Sequence, residues 1–185
     1  MPFRLVKTPL SGLLIIEPTI FSDSRGYFLE SYRKKDFENL GINVEFIQDN
    51  QSKSKKGTLR GLHFQVKHPQ AKLVQVLSGK VFDVAVDIRK SSPTFGKSFG
   101  LVLDDESKRQ FYIPTGFAHG FLTVSDEAVF AYKCSDYYHQ EDEGGILWND
   151  PDLNIGWPPE WLDHLILSDK DKKLPRLREV RFSFQ

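Results

Sequence analysis

A chain of 185 residues with 25 basic and 25 acidic side chains has no net field to draw it to nucleic acid or an anionic membrane. Its length suits one domain with a sizeable core, and no apolar run approaches the roughly 20 residues of a membrane-spanning helix. The single cysteine, Cys134, excludes an intramolecular disulfide framework and any multi-cysteine metal site.

The N-terminal stretch carries Arg4 and Lys7 without the apolar core of a signal peptide, so a cytoplasmic protein is expected. Fifteen phenylalanines and ten prolines lean toward an all-β fold, since aromatics suit pleated surfaces and prolines punctuate short elements. In chain order, strands are expected over residues 13–17, 27–32 and 44–49. A two-turn helix over 34–40 would close on Gly41. The apolar run 73–77 turns at Gly79-Lys80 into the clearest strand, 81–88. There Phe82, Val84, Val86 and Ile88 share one face, and Asp83 and Asp87 lie on the other. Further strands are expected over 99–103, 110–113, 120–124 and 128–133, and Pro158-Pro159 would open a short helix reaching His164. The charged stretch 169–185 has the composition of a tail. With no repeat or linker, residues 1–185 read as one domain, and many short strands argue for a sandwich or barrel.

Two of the five histidines have unusual surroundings. His63 lies in Arg60-Gly61-Leu62-His63-Phe64-Gln65, and His119 in Pro114-Thr115-Gly116-Phe117-Ala118-His119-Gly120. His68, His139 and His164 read as ordinary surface or core residues. The Pro-x-Gly-x-x-His pattern resembles the second signature of the cupin barrels. Their first signature, a His-x-His pair followed by a glutamate, is replaced here by His63-Phe64-Gln65 and by Pro69-Gln70-Ala71-Lys72. A transition metal normally needs three or four imidazole, thiolate or carboxylate ligands, and Lys72 would compete with it. A cupin barrel without metal is expected. Imidazole, lysine, arginine and phenols instead suit proton abstraction beside a carbonyl. Tyr132 shares a strand face with Phe130; it reads as a candidate acid on the far side of the reacting carbon, or as core packing.

Several blocks, in one order, carry a closer likeness. They include Asp23-Ser24-Arg25-Gly26-Tyr27-Phe28-Leu29-Glu30, Gln48-Asp49-Asn50-Gln51-Ser52, Leu59-Arg60-Gly61-Leu62-His63-Phe64-Gln65 and Pro69-Gln70-Ala71-Lys72. Tyr132-Lys133, Tyr137-Tyr138, Glu143-Gly144-Gly145-Ile146, Trp148-Asn149-Asp150-Pro151 and Leu167-Ser168-Asp169-Lys170-Asp171 follow. Over essentially its whole length the chain resembles the dTDP-4-dehydrorhamnose 3,5-epimerase family. The resemblance implies a cupin-type jelly-roll β-barrel with a few short peripheral helices, no cofactor, and epimerisation at C3 and C5 of a dTDP-4-keto sugar on the way to dTDP-L-rhamnose.

The resemblance also implies roles. His63 would be the base, Asp171 its carboxylate partner with Asp169 as rival, Lys72 the stabiliser of the C4 enolate, and Tyr132 the acid on the opposite face. Arg25, Arg60, His119 and Lys170 would hold the diphosphate or sugar, a task suited to arginine's fork. Gln48, Asp49, Asn50, Glu30 and Glu143 would hydrogen-bond thymine and sugar, and Tyr138 would stack on the thymine. A homodimer in which an N-terminal segment crosses to its partner is implied as well. The alternatives are a single-site epimerase on a related dTDP-4-keto sugar, a metal-dependent cupin enzyme, and a non-catalytic sugar-nucleotide binding module.

Overall fold

The computed structural model describes residues 2–180 and Phe184. Thirteen strands follow one another: β1 (Phe3–Lys7), β2 (Leu14–Pro18), β3 (Phe21–Asp23), β4 (Gly26–Phe28), β5 (Gln48–Lys55), β6 (Leu59–Gln65), β7 (Lys72–Ser78), β8 (Lys80–Asp87), β9 (Ser98–Asp104), β10 (Gln110–Ile113), β11 (Phe117–Thr123), β12 (Glu127–Cys134) and β13 (Glu143–Gly145). One six-residue helix, α1 (Lys34–Asn39), and four short 3₁₀ helices complete the inventory. An antiparallel six-stranded sheet, β1-β2-β10-β7-β12-β5, faces a five-stranded one, β13-β6-β11-β8-β9, and β3-β4 is a separate hairpin. This is the expected jelly-roll barrel of the cupin type, with its helices at the periphery.

Three apolar clusters hold the sheets. Val74, Phe111 and Phe130 of one sheet pack on Val81, Leu103 and Phe121 of the other inside the barrel. The outer face of the five-stranded sheet, with Leu62, Phe64, Val84 and Val86, is covered by Ile146, Leu153, Trp157 and Leu177. Phe37 of α1 and Ile42 cover Phe3, Ile16, Leu73 and Tyr112 on the outside of the six-stranded sheet. The strand around residues 81–88 is therefore buried on both faces, and Asp83 and Asp87, on the face opposite Phe82, Val84 and Val86, are wholly buried.

Three expectations change. The stretch 44–49 is strand only from Gln48, where β5 runs on through a polar sequence. Only Gly26–Phe28 of the stretch 27–32 and its neighbours pairs, with Phe21–Asp23. The stretch from Asp169 is no tail: Asp171 is buried, and Leu177, Val180 and Phe184 pack on the outer cluster. The part of that stretch at 181–183 and 185 lies outside the described residues. β1, β3, β6 and β13 were not expected from the sequence, and β6 matters most for the site.

Candidate active site

β6 departs from simple alternation. Against β11, His119 pairs with His63 but Phe121 pairs with Arg60, so β6 spends one residue more than its partner over that step. This is a β-bulge, and it brings Arg60 and His63 to one face where alternation would separate them. Gly61 sits in it with φ +123, and a Cβ there would meet Gly120 Cα at 2.6 Å and His119 O at 2.8 Å. Only glycine fits that close backbone approach.

Arg60, His63, Lys72, His119, Tyr132, Lys170 and Asp171 line one cavity of about 560 Å³ inside the barrel. A second chamber of about 240 Å³ is lined by Gln48, Asn50, Tyr138 and Glu143, and shares His63, Lys72 and Tyr132 with the first. The two volumes together suit a ligand of drug size or larger, and the three shared residues stand where they meet.

His63 Nε2 lies 2.6 Å from Asp171 Oδ1. Asp171 opens a 3₁₀ turn, and Ser168 Oγ accepts its backbone N–H at 3.0 Å. Burial opposes the Asp171 charge, but the His63 ring and further hydrogen bonds prevail and hold the carboxyl below its usual 3.8. Asp169, the rival partner, is exposed and takes a bond from Lys172 at 3.2 Å. With Nε2–H directed at Asp171, the lone pair of a neutral His63 falls on Nδ1, for which the described residues offer no hydrogen-bond partner. Desolvation lowers the Lys72 pKa, against opposing influences from Cys134, Asp83 and Glu143. Desolvation raises that of Tyr132, whose ring centroid is 6.0 Å from the Lys72 ammonium.

Around these groups the partners are defined. Arg60 Nε donates to Ser54 Oγ at 3.0 Å. Glu143 accepts from Tyr138 Oη at 2.7 Å and pairs with Lys170. That bond pushes the Tyr138 phenol up to about 12, while burial, which disfavours the Glu143 charge, is outweighed by Lys170 and Tyr138 so that its pKa falls. Gln48 Nε2 donates to Asn50 Oδ1 at 3.1 Å, and Asn50 reaches Cys134 Sγ at 3.6 Å. His119 Nε2 lies 3.0 Å from both oxygens of Asp83.

Three expected residues stay outside both chambers. Alternation along β5 turns Asp49 away from Gln48 and Asn50, and it pairs with Lys133 at 2.9 Å. Glu30 pairs with Arg33, and Arg25 sits on the exposed β3-β4 hairpin, bonded to Asp23 at 2.6 Å. Conversely, Ser52, Ser54, Phe121, Phe130 and Ser168 line the large cavity without having been singled out. Ser52 and Ser54 belong to the inward row of β5, whose period-two spacing from Gln48 and Asn50 was the available signal.

Among the described residues no three His, Cys, Asp or Glu side chains are placed to hold a metal ion. A carboxylate-backed imidazole, an ammonium and a phenol converge instead, and the barrel with this lining defines a cupin-type acid–base enzyme. The comparisons with known proteins narrow the class. A family model described as dTDP-4-dehydrorhamnose 3,5-epimerase matches residues 7–179. The dTDP-4-dehydrorhamnose 3,5-epimerase of Methanothermobacter thermautotrophicus is 53% identical over 177 residues, 96% of either chain. That of Shigella flexneri is 55% identical over 170 residues, 91% of this chain and 92% of its own. The crystal structure of the dTDP-6-deoxy-D-glucose-3,5-epimerase of Legionella pneumophila, in complex with dTDP-4-keto-L-rhamnose, superposes with a TM-score of 0.95 at 50% identity, covering 99% of each chain. The chain belongs to the dTDP-4-dehydrorhamnose 3,5-epimerase family, whose members are isomerases.

Proposed function

We infer that the protein inverts C3 and C5 of dTDP-4-dehydro-6-deoxy-D-glucose, giving dTDP-4-dehydro-L-rhamnose in dTDP-L-rhamnose biosynthesis. The observation that carries this reading is the 2.6 Å contact of His63 with Asp171 where two chambers meet, in a lining that both chambers share with Tyr132 and Lys72. Each half-reaction starts when His63 removes the proton from C5 or C3. The C–H electron pair forms a double bond to C4, and the carbonyl pair moves onto the C4 oxygen, where the Lys72 ammonium meets it. Tyr132 then protonates the carbon from the other face, and the configuration inverts. Asp171 holds the ring and supports its charged form. The smaller chamber takes the nucleotide, with Gln48, Asn50 and Glu143 as hydrogen-bonding groups and Tyr138 against the thymine, and Arg60 and Lys170 answer the negative charge of the diphosphate.

The chain works in this reading as one catalytic unit, in the cytoplasm and as a homodimer. Phe21, Tyr27 and Phe28 are each more than half exposed on the hairpin that carries Arg25, and such a patch favours burial against a second copy. Sedimentation of the purified protein tests the dimer. No helix among the described residues is long and apolar enough to cross a membrane.

The reaction is tested by incubating the protein with dTDP-4-keto-6-deoxyglucose in deuterated water, with no metal or nicotinamide added, and following the sugar by NMR. Deuterium at both C3 and C5, with the L-rhamno product trapped by a reductase, is expected. Exchange at one carbon would make the protein a single-site epimerase, and exchange at neither would overturn the reading.

A further inference from the structure

Gln65 stands where the cupin signature has its second histidine. It is buried, two positions from His63 on β6. Its Nε2 donates to His68 O at 2.7 Å and to Tyr137 O at 3.1 Å, and its Oε1 accepts the His139 N–H at 2.6 Å. The amide therefore holds the two peptide groups on either side of Tyr138. Residues 137–139 lie outside helix and strand, between β12 and the 3₁₀ turn at Gln140–Asp142, and Tyr138 is half exposed. Neither regular pairing nor burial fixes such a residue. The Tyr138 N–H goes to another side-chain amide, Gln48 Oε1, at 2.9 Å. Gln65 also serves the ring end of Tyr138, because its backbone is the register partner of Glu143, whose carboxylate accepts from Tyr138 Oη.

We propose that Gln65 is the positioning residue of the nucleotide chamber: it sets the place of Tyr138, and through it the affinity for the dTDP part of the ligand, without taking part in the chemistry. The inference rests on the epimerase reading above, in which Tyr138 lies against the thymine. Gln65 lines the smaller chamber, but both its Nε2 hydrogens are used within the protein, so it has no donor left for a ligand. It acts instead through the backbone it holds. The other end of the amide's grip is itself anchored. Asp142 accepts the Lys67 N–H at 2.8 and 2.9 Å and the His68 N–H at 2.7 Å, and the His68 ring stacks on His139 with centroids 4.2 Å apart. Gln65 thus ties Tyr138 to a fixed loop. A segment left unheld would have to be ordered when the ligand arrives, and that ordering costs affinity.

Positioning can be separated from contact and from general stability. Gln65→Met keeps the reach of the side chain and removes all three hydrogen bonds, and Gln65→Glu keeps the acceptor for His139 but removes both donors. Calorimetric binding of dTDP, and deuterium exchange into dTDP-4-keto-6-deoxyglucose read as kcat and KM, are measured for the wild type and both variants. The same is done for Tyr138→Ala alone and combined with Gln65→Met. Either Gln65 variant is expected to weaken dTDP binding and raise KM by about 10-fold, with kcat within about twofold of the wild type. On top of Tyr138→Ala, Gln65→Met is expected to weaken dTDP binding no further, since the ring it positions is gone. If Gln65→Met fails to fold, Gln65→Glu takes its place in both comparisons. Wild-type dTDP affinity in the Gln65 variants would overturn the proposal, and so would equal losses with and without the Tyr138 ring. A fall in kcat with dTDP binding preserved would overturn it as well and place the effect of Gln65 on His63. A wild type that binds no dTDP would remove the nucleotide reading itself, and this inference with it.

Discussion

Arg60 and His63 face the same cavity although three positions separate them along a strand, an odd spacing that alternation would send to opposite faces. The bulge at Gly61 makes up the difference, and it exists because Gly61 and Gly120 bring two backbones so close that a Cβ on Gly61 would lie 2.6 Å from Gly120 Cα. A side chain at 61 must be accommodated by backbone on both strands. Gly61→Ala is expected to cost about 2 kcal/mol or more, from left-handed strain together with overpacking. It should also lower epimerisation, because Arg60 and His63 can no longer both address the cavity. Gly156→Ala, where a Cβ meets nothing within 4 Å, is the control and should be near neutral. Thermal melts of the two variants check the difference; equal melting temperatures would mean that the bulge tolerates a side chain.

The choice between Asp171 and Asp169 as partner of His63 turns on which carboxylate the 3₁₀ turn directs inward. Asp171 is buried against the ring, and Asp169 faces solvent and Lys172. Asp171→Asn should preserve the hydrogen bond and lose the charge that supports an imidazolium, lowering C5 exchange by about 10²-fold or more. Asp169→Asn should leave exchange unchanged. The Asp171 pKa lies below 3.8, so the partner stays ionised as pH falls to that value, and its contribution to folding is lost only below it. Exchange rates for the two variants at one pH suffice, and the reverse ranking would reassign the dyad.

Much of the barrel was legible because its strands are apolar where they meet a core. The β8 pattern was read correctly as a strand with its aspartates on the face opposite Phe82, Val84 and Val86, but alternation shows which residues share a face and not what covers it. The polar inward row of β5, Gln48, Asn50, Ser52 and Ser54, lines chambers instead of packing, so it lacked the apolar signal of a strand. β6 escaped for a different reason: a bulge breaks the period on which recognition depends. The pairing of His63 with Asp171, 108 positions apart, was expected from family resemblance alone, since no local pattern encodes such a contact. Asp49 was grouped with Gln48 and Asn50 by the family resemblance, and the pleat of β5 turns it to the other face.

The alkaline side of the pH profile should report Lys72 ahead of Tyr132. Both act in their protonated forms, an ammonium facing the oxyanion and a phenol delivering a proton. Burial moves them in opposite directions, drawing Lys72 below its usual 10.5 and lifting Tyr132 above its usual 10.0. Burial makes the lysine proton easier to lose and the phenol proton harder, so the decline of kcat with rising pH is assigned to Lys72. Tyr132→Phe should cut inversion by about 10²-fold, keep the alkaline limb, and still wash deuterium into C5 with retention. Lys72→Arg should lose rate and move the limb upward, because a guanidinium does not titrate in this range. Profiles of kcat for the three proteins test the assignment, and a limb that vanishes in Tyr132→Phe would give it to the phenol.

Asp87 lies away from the chambers and is expected to matter for folding alone. It is wholly buried at the end of β8 and accepts from Arg89 Nε at 2.8 Å, Arg89 Nη2 at 2.7 Å, the Arg89 backbone N–H at 3.0 Å, and Ser92 Oγ and Thr94 Oγ1 at 2.6 Å each. Burial alone would raise its pKa, but these donors outweigh it and bring the value from 3.8 to about 2. A folded-state pKa below the unfolded one means that the unfolded chain binds the proton more readily, so acid favours unfolding. The difference corresponds to about 2 kcal/mol, fully present above roughly pH 5 and lost as pH falls toward 2. Asp87→Asn forfeits that contribution and leaves a neutral amide among donors. It should lower stability at neutral pH by about 2 kcal/mol or somewhat more and flatten the acid dependence between roughly pH 5 and 2. Urea unfolding of wild type and variant at pH 7 and pH 3 measures both effects. Parallel losses at the two values of pH would show that the ion pair with Arg89 is not what makes the wild type acid-sensitive.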